Sequence, residues 1–439
     1  MSEAPTPGTR PIARAASISH AWRALRHRNF QLYFVGQGIS LIGTWMTRLA
    51  TSWLVYRMTD SALLLGVVSF AGQIVALAFG PVAGAWVERL DRRALLVWTQ
   101  AAAAAQSLAM AALTLTHTIT LHEILALAAF QGLIAAFDMP ARQSFLVQMV
   151  DDPHDLGNAI AVNSSVVNGT RLIGPAIAGA VIAGFGVGWC FLIDGISYFA
   201  VIASLAMMRL RPAAPAATGA AGGSLLAQIR EGWNYVRDFD PIRTILSLFF
   251  LQSLLGWPYM VLLPVFAARV LHGDAHTLGA LSAASGFGAL LSALALAMRR
   301  SVVGLTRTLR SATVLLGLGL LLFGLSHTLW LSLATVMLAG FGLMQTAAVC
   351  NTIIQSLVPD GMRGRVMSYY TMAFFGAAPF GSLLAGALSE RFGAPLTVAA
   401  SGVACLASAL WYSRELPRIG AIIGPIYRAK GLPVPPKGF

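Results

Sequence analysis

Long apolar runs are the feature that most constrains how this chain folds. A membrane-spanning helix uses roughly 20 apolar residues, and twelve runs approach or exceed that length. Only 11% of the 439 residues are charged, whereas about a quarter are charged in a soluble protein. The sequence therefore predicts an all-α polytopic membrane protein. Its spans are expected near 30–56, 61–86, 94–116, 121–141, 157–184, 189–209, 242–268, 276–298, 311–326, 329–355, 366–388 and 395–413.

The distribution of Lys and Arg predicts the orientation of these spans. With the N-terminus in the cytoplasm, 25 of the 30 basic residues fall on the cytoplasmic side. The opposite side receives only Arg57, Arg269 and Arg391, and Arg48 and Arg171 fall inside spans. Because short cytoplasmic loops are rich in Lys and Arg, both termini are expected in the cytoplasm. The net charge of +13 then reports orientation, and no nucleic acid partner is expected.

The middle of the chain divides the spans into two sets of six. Leu226, Ile229, Trp233 and Val236 recur at helical spacing between charged residues, which predicts an amphipathic helix on the membrane surface. The predicted organisation is a cytoplasmic N-terminal segment, a first six-helix half, a cytoplasmic linker, a second six-helix half and a basic cytoplasmic tail, at residues 1–29, 30–210, 211–241, 242–414 and 415–439.

The turn after the second span carries a recognisable motif. Three residues separate Gly84 from the acid Glu88, which is followed by Arg89 and then by Arg92 and Arg93. This pattern resembles the loop signature of the major facilitator superfamily. The resemblance implies two pseudo-symmetric six-helix halves, and it implies that the charges of this turn form a conformational latch. Anchoring of the membrane topology is the alternative role for these bases.

Other segments resemble one branch of that superfamily. Gly174, Pro175 and Gly179 in the fifth span look like a truncated exporter signature, and residues 137–143 and 358–366 add further matches. Together they are similar to transmembrane secretion effectors, a branch that includes enterobactin-exporter-like and macrolide-efflux-like proteins. The resemblance implies a bacterial inner-membrane exporter of a small-molecule cargo.

Conformational change gives two further groups of residues a predicted role. Arg363 and Arg365 occupy the place in the second half that corresponds to the first latch, with simple anchoring as the alternative. Glycine and proline remove side-chain bulk and backbone hydrogen bonds, so they permit helix bending or close static packing. The predicted bends are at Gly80, Pro81, Gly174, Pro175 and Gly179.

Polar side chains inside the spans mark the predicted cargo path. Gln37, Ser40, Thr44 and Arg48 share one face of the first span, which must meet a wet cavity or a polar contact. In the major facilitator superfamily, which this sequence resembles, spans 1, 4, 7 and 10 line the path. Apolar walls along that path suit a hydrophobic or amphiphilic cargo. The remaining path candidates are Phe130, Gln131, Asn168, Gln252, Trp257, Gln345 and Asn351.

Ionisable residues inside the spans are candidates for energy coupling, because each costs about 2.5 to 3.5 kcal/mol at a helix centre. They are Arg48, Asp138, Arg171 and Asp194. The estimated depths of Arg48 and Asp194 match, which predicts an ion pair. The alternative is that Asp194 carries protons while Arg48 modulates its pKa.

Taken together, the residues and the resemblance predict a monomeric proton antiporter. No Walker A sequence is present, so the proton gradient is the expected energy source, and neither a cofactor nor a metal is expected. An uptake permease of the same fold and a non-transporting scaffold or sensor remain alternatives. An intramembrane enzyme is disfavoured because no His or Lys lies inside a span to activate a nucleophile.

Overall fold

The twelve predicted spans are all helical. The structure is a computed structural model that describes residues 23–87, 90–149, 155–209, 225–299 and 301–429. Among the described residues, eleven helical segments are long and apolar enough to cross a membrane. The helix Arg28–Thr59 covers the first predicted span but is not one of these eleven, and we number it span 1. In order, spans 1 to 12 are Arg28–Thr59, Ala62–Val87, Arg92–Leu115, Leu121–Leu146, Leu156–Phe185, Val187–Met207, Asp240–Val270, Ala275–Ala297, Leu305–Gly324, Leu329–Leu357, Asp360–Phe392 and Ala394–Ala429.

Two of the spans are interrupted. Span 7 consists of Asp240–Leu255, Tyr259–Val265 and a π-helical turn at Phe266–Val270, and span 11 consists of Asp360–Phe375 and Ala377–Phe392. Pro258 accounts for the break in span 7 because proline has no backbone N–H to continue the helix. In the part of the chain that the structure describes, three shorter helices lie outside the spans: Arg23–Arg26, Val147–Met149 and the linker helix Leu225–Asp238.

The two halves share a tight junction at corresponding places. Gly186 joins spans 5 and 6 with a φ of 95°, and Gly393 joins spans 11 and 12 with a φ of 85°. Residues with a Cβ rarely adopt this backbone conformation, so glycine permits both sharp reversals. The repetition agrees with two six-helix halves of similar design.

The helices give the molecule two distinguishable ends. We call the end that carries the start of span 1, the linker helix and the end of span 12 the linker end, and the opposite end, with the loops at 60–61 and 271–274, the distal end. Span 2 packs against span 11 and span 5 against span 8, which joins the two halves.

The hydrophobic cores differ between these ends. At the distal end, one core combines buried residues of both halves, among them Met46 and Phe191 with Leu262 and Phe323. Toward the linker end, the residues around Phe145 form a core of the first half alone. A separate core there belongs to the second half, with side chains from the linker helix and from spans 7, 9, 10, 11 and 12. The halves are therefore fused at the distal end and separate at the linker end.

Span 12 is longer than the sequence indicates. Its helix continues through Ala429, so the predicted boundary at 414 falls inside it. Leu416, Ile419 and Ile423 are buried in the core of the second half, and their spacing keeps one face of the helix against it. Residues 430–439 of the predicted tail, like 1–22 of the N-terminal segment and 210–224 of the linker, lie outside the described residues.

Candidate functional site

Small residues bring the two halves together toward the distal end. A Cβ added to Gly66 of span 2 would lie 2.6 Å from the backbone oxygen of Ser382 in span 11. In spans 5 and 8, a Cβ on Gly279 would lie 2.8 Å from the backbone oxygen of Pro175. Contacts this short require glycine, because the neighbour is backbone and cannot move aside.

The same helices diverge toward the linker end. Glycines of spans 2, 5 and 11 would there receive a Cβ with nothing within 4 Å among the described residues. Together with the separate cores, this divergence leaves a space between the halves that opens at the linker end and closes at the distal end. The glycines concerned are Gly80, Gly84, Gly157, Gly169, Gly361 and Gly364.

Polar contacts between the halves add to the distal closure. Glu390 of span 11 accepts hydrogen bonds from the backbone N–H groups of Ala62 at 2.9 Å and Leu63 at 3.2 Å, and so caps the first turn of span 2. Asp60 and Arg269 form an ion pair at 2.5 Å. The Arg269 guanidinium holds the pKa of Asp60 below its usual value.

Two arginines meet where the halves begin to part. Arg171 lies at the span 5 to span 8 contact, since its backbone oxygen would be 2.6 Å from a Cβ on Gly286. Its guanidinium carbon lies 5.6 Å from the ring centroids of both Trp45 and Trp257. The guanidinium carbon of Arg48 lies 4.9 Å from the same Trp45 ring. We call these two arginines and two tryptophans the apex cluster.

The arginines of the apex cluster differ in exposure. Arg48 is accessible, whereas Arg171 is 5% exposed. Arg171 Nη2 contacts the sulfur of Met260 at 3.6 Å, and its Nε makes no hydrogen bond. Neither arginine forms an ion pair with an acidic side chain in the described part of the chain.

The predicted ion pair between Arg48 and Asp194 is absent from the described structure. Asp194 is 1% exposed, and its Oδ2 accepts a hydrogen bond from Ser107 at 2.9 Å. Its Oδ1 has no hydrogen-bond partner, and neither has Thr47 Oγ1 beside it. Span 6 turns this carboxyl toward spans 1 and 3, whereas Arg48 points to Trp45.

Asp138 has a different environment from Asp194. Arg142, one turn later in span 4, forms an ion pair with it. Gln100 of span 3 donates to Asp138 at 2.7 Å and Thr99 at 3.0 Å. Both carboxyl oxygens of Asp138 therefore have partners, whereas one oxygen of Asp194 has none among the described residues.

Several predicted path residues face other helices. Gln37 and Ser40 are buried on the face of span 1 that packs against span 6, where Ser204 lies close to Gly36. Their polar stripe forms a helix contact and does not line the cavity in this conformation. Two further candidates also bond to neighbouring spans: Gln252 donates to Ser408 at 2.6 Å, and Gln345 accepts from Ser292 at 2.7 Å.

The remaining path candidates are partly or fully accessible. Phe130 is 41% exposed, and Thr44, Gln131, Asn168 and Asn351 are partly buried. Trp257 is also partly buried and packs edge-to-face against Phe374, with ring centroids 4.9 Å apart. The break in span 7 places this indole at the apex cluster.

Three of the described latch residues bond within their own half or to the linker helix in this conformation. Arg93 donates to the backbone oxygen of Ala206 at 2.8 Å, at the end of span 6. Arg363 pairs with Asp360 of its own turn at 2.6 Å. Arg365 pairs with Glu231 of the linker helix at 2.6 Å. Arg92 is partly buried, and Glu88 and Arg89 lie outside the described residues.

The predicted bend residues divide between the two ends. A Cβ on Gly174 would lie 2.5 Å from the Cβ of Trp45, and one on Gly179 would lie 2.9 Å from the Ala275 backbone oxygen, so both serve close packing. Pro175 is buried at the same contact. Gly80 and Pro81 instead lie in the part of span 2 that diverges from span 11.

Sequence reasoning missed Trp45 and Glu390. Trp45 precedes Arg48 by one helical turn, and this spacing was a usable signal because residues three apart share a helix face. Glu390 caps span 2 at a sequence separation of 328 from Ala62, and nothing local in the sequence marks that pairing. In the described ranges, no group of three or more His, Cys, Asp and Glu side chains is arranged to hold a metal.

Two six-helix halves that meet at one end and part at the other are an arrangement typical of membrane transporters. The chain belongs to the transmembrane secretion effector family of the major facilitator superfamily, which matches residues 19–423. It is 25% identical to a staphyloferrin A transporter of Staphylococcus aureus over 85% of this chain and 93% of that protein.

Two other comparisons agree with this assignment. The multidrug efflux pump Tap of Mycolicibacterium fortuitum is 28% identical over 80% of this chain and 87% of its own length. Among solved structures, a nucleoside transporter NupG mutant superposes with a TM-score of 0.70 at 13% identity, covering 89% of this chain and 99% of that one. The last likeness shows the fold alone.

Proposed function

We propose that this protein is a secondary active exporter in the bacterial inner membrane, and that it moves a small hydrophobic or amphiphilic compound outward in exchange for protons. One observation carries the proposal: the halves are fused at the distal end and open at the linker end. The linker end carries most of the basic residues, which supports a cytoplasmic location for it. An exporter collects its cargo from that side.

The relatives support the direction and the type of cargo. Their names describe one as a transporter of staphyloferrin A and another as a multidrug efflux pump. Siderophore-like, antibiotic-like and drug-like compounds are therefore the cargo classes to test. Uptake by the same alternating access is the competing direction.

Asp194 is the best proton carrier among the four coupling candidates. A buried carboxylate with an unpaired oxygen is costly as an anion, and protonation removes that cost. A protonated Asp194 could donate to Thr47 Oγ1, which has no other partner among the described residues. Asp138 is unsuited because both of its oxygens are occupied: Oδ2 pairs with Arg142, and Oδ1 accepts a hydrogen bond from Gln100.

Flux in proteoliposomes tests this function. Candidate siderophores and antibiotics are offered on the linker side, and a pH gradient with that side alkaline should accelerate their export. Asp194→Asn should fold normally and lose the response to the gradient, because the amide cannot take up a proton. Asp138→Asn is the matched control, and it should reduce folded protein because it leaves Arg142 without its partner.

Two results would contradict the proposal. Flux that ignores both the pH gradient and the membrane potential would remove secondary active transport. Accumulation driven toward the linker side would replace export by uptake.

A further inference from the structure

The apex cluster carries two positive charges without an acidic partner. The guanidinium carbons of Arg48 and Arg171 lie 4.9 and 5.6 Å from the centroid of the same Trp45 ring. The acidic side chains in the described spans of this half are engaged elsewhere: Asp138 with Arg142, Asp194 with Ser107 and Glu123 with Thr120. A charged side chain inside the membrane usually pairs with an opposite charge or reaches water.

The protein compensates these charges only in part. The indole rings supply cation–π attraction, and Met260 supplies a weak sulfur acceptor. Arg171 is nine-tenths buried, yet its Nε has no hydrogen-bond partner among the described residues. A buried guanidinium with an unused donor, beside an accessible second guanidinium, is complementary to an oxyanion.

We propose that the apex cluster binds the carboxylate of an amphiphilic organic acid, which is the cargo. Guanidinium groups present forked donors that match a carboxylate, and they stack on aromatic faces. The indoles of Trp45 and Trp257, with Phe374 against Trp257, provide flat apolar surfaces for the rest of the molecule. This assignment rests on the proposed function, whose cargo class it narrows.

The location favours cargo over a permanently bound ion. Arg171 lies where spans 5 and 8 part, because Gly286 still touches it while Gly169 meets nothing within 4 Å among the described residues. Arg48 is exposed and lies over the same Trp45 ring as Arg171. An anion there touches both halves at once, so it can bias the equilibrium between the two conformations.

Binding to the full-length protein in nanodiscs tests the assignment. The probes are 2-naphthoate and its neutral isostere 2-naphthamide, measured by equilibrium dialysis in chloride-free gluconate buffer, with empty nanodiscs to subtract partitioning. Wild type should bind naphthoate saturably. Arg171→Gln and Arg48→Gln should each weaken naphthoate binding about tenfold or more, because each removes a charge-assisted hydrogen bond. Naphthamide binding should not respond to either substitution.

Matched variants separate the site from a general loss of charge. Arg57→Gln is the control, because Arg57 lies on the same helix, over the Trp53 ring at 6.0 Å, beyond the distal closure. It should bind naphthoate as wild type does. Arg171→Lys covers the case in which the glutamine variant fails to fold, and it should bind with intermediate affinity because it keeps the charge without the fork. Thermal unfolding confirms that each variant is folded.

The outcomes decide among the sources of the anion. Equal naphthoate binding by wild type and both glutamine variants, or no saturable binding by folded wild type, would overturn the proposal. If chloride displaces naphthoate from wild type and Arg171→Gln binds neither ion, the site serves an inorganic anion and the cargo assignment fails. No gradient is present, so either failure is independent of whether export is proton-driven.

Discussion

The distal and linker ends of the molecule use the same four helices in opposite ways. At the distal end, spans 2 and 11 and spans 5 and 8 touch through glycine backbones, and one core spans both halves. At the linker end the same helices diverge, and each half has its own core. The same helices can therefore be in contact at one end of the molecule and apart at the other.

The glycines explain how both arrangements are available to one chain. Spans 2, 5 and 11 have glycines at more than one depth, and those near the linker end meet no neighbour among the described residues in this conformation. The linker-end set, which includes Gly80 and Gly84, lies free among the described residues. We infer that it forms the corresponding contacts when the linker end closes, so the two ends compete for the same helices.

A pair of spin labels reports on the distal end in the predictions that follow. Thr118→Cys in the first half and His327→Cys in the second are exposed there, and pulsed electron paramagnetic resonance measures the distance between labels at these sites. Cys190, Cys350 and Cys405 are buried and free, which keeps background labelling low. We call these sites the distal reporter pair.

The largest effect is expected from Gly66→Val, which should break the distal contact. The new side chain would meet the backbone of Ser382, and overpacking of this kind costs about 1–3 kcal/mol. Such a cost changes a two-state population about fivefold or more, so the distal reporter pair should show a longer-distance component. An unchanged distance distribution in folded protein would mean that the glycine contact does not hold the distal end closed.

The next effect concerns Gly84→Val, at the opposite end of the same helix. Nothing lies within 4 Å of the added Cβ among the described residues, so this conformation and its thermal stability should be retained. Transport should fall severalfold, because the valine would obstruct closure of the linker end. Normal flux in proteoliposomes would show that this glycine takes no part in closure.

The sequence predicts this fold well because the features that define each span lie close together along the chain. Each span is a run of apolar residues, and the loops carry the charges that orient it. The surroundings of the path residues were harder to predict. Gln37 and Ser40 are polar residues on span 1, which contacts other helices on some faces and the cavity on another. Packing against span 6 decides which face contacts helices, and the sequence does not specify that packing.

The apex cluster shows the same limit. Arg48 and Arg171 stand out from their spans as charges, so each is found from the sequence alone. Their shared contact with Trp45 joins spans 1 and 5, and Trp257 joins them only through the break in span 7. The depth estimate paired Arg48 with Asp194 because depth ignores the direction in which a helix turns its side chain.

A smaller effect is expected from Glu390→Ala, which removes the cap that span 11 provides for span 2. Loss of a helix cap costs about 1 kcal/mol, and here the cost falls on the distal closure because the cap crosses the halves. The distal reporter pair should show a modest shift toward longer distances.

Glu123→Ala is the matched control for the cap. Glu123 accepts from the Thr120 backbone N–H at 2.6 Å and so caps span 4 within its own half. It should lower thermal stability without changing the distance between the labels. If both variants shift the distance equally, capping affects helix stability in general and not the closure.

The smallest effect is expected from Asp60→Asn, because the Asp60 to Arg269 pair is exposed and salt screens it. Arg269 lowers the pKa of Asp60, so the pair is fully formed above the ordinary aspartate pKa of about 3.9 and is lost only as the pH falls through the lower, folded-state value. The distance between the reporter labels should therefore not respond to this pair between about pH 5 and pH 8. Asp60→Asn should lengthen it slightly at low salt and not at high salt. A wild-type distance that changes near neutral pH, and no longer does so in Asp60→Asn, would show that this pair senses protons and would make the distal end part of the coupling machinery.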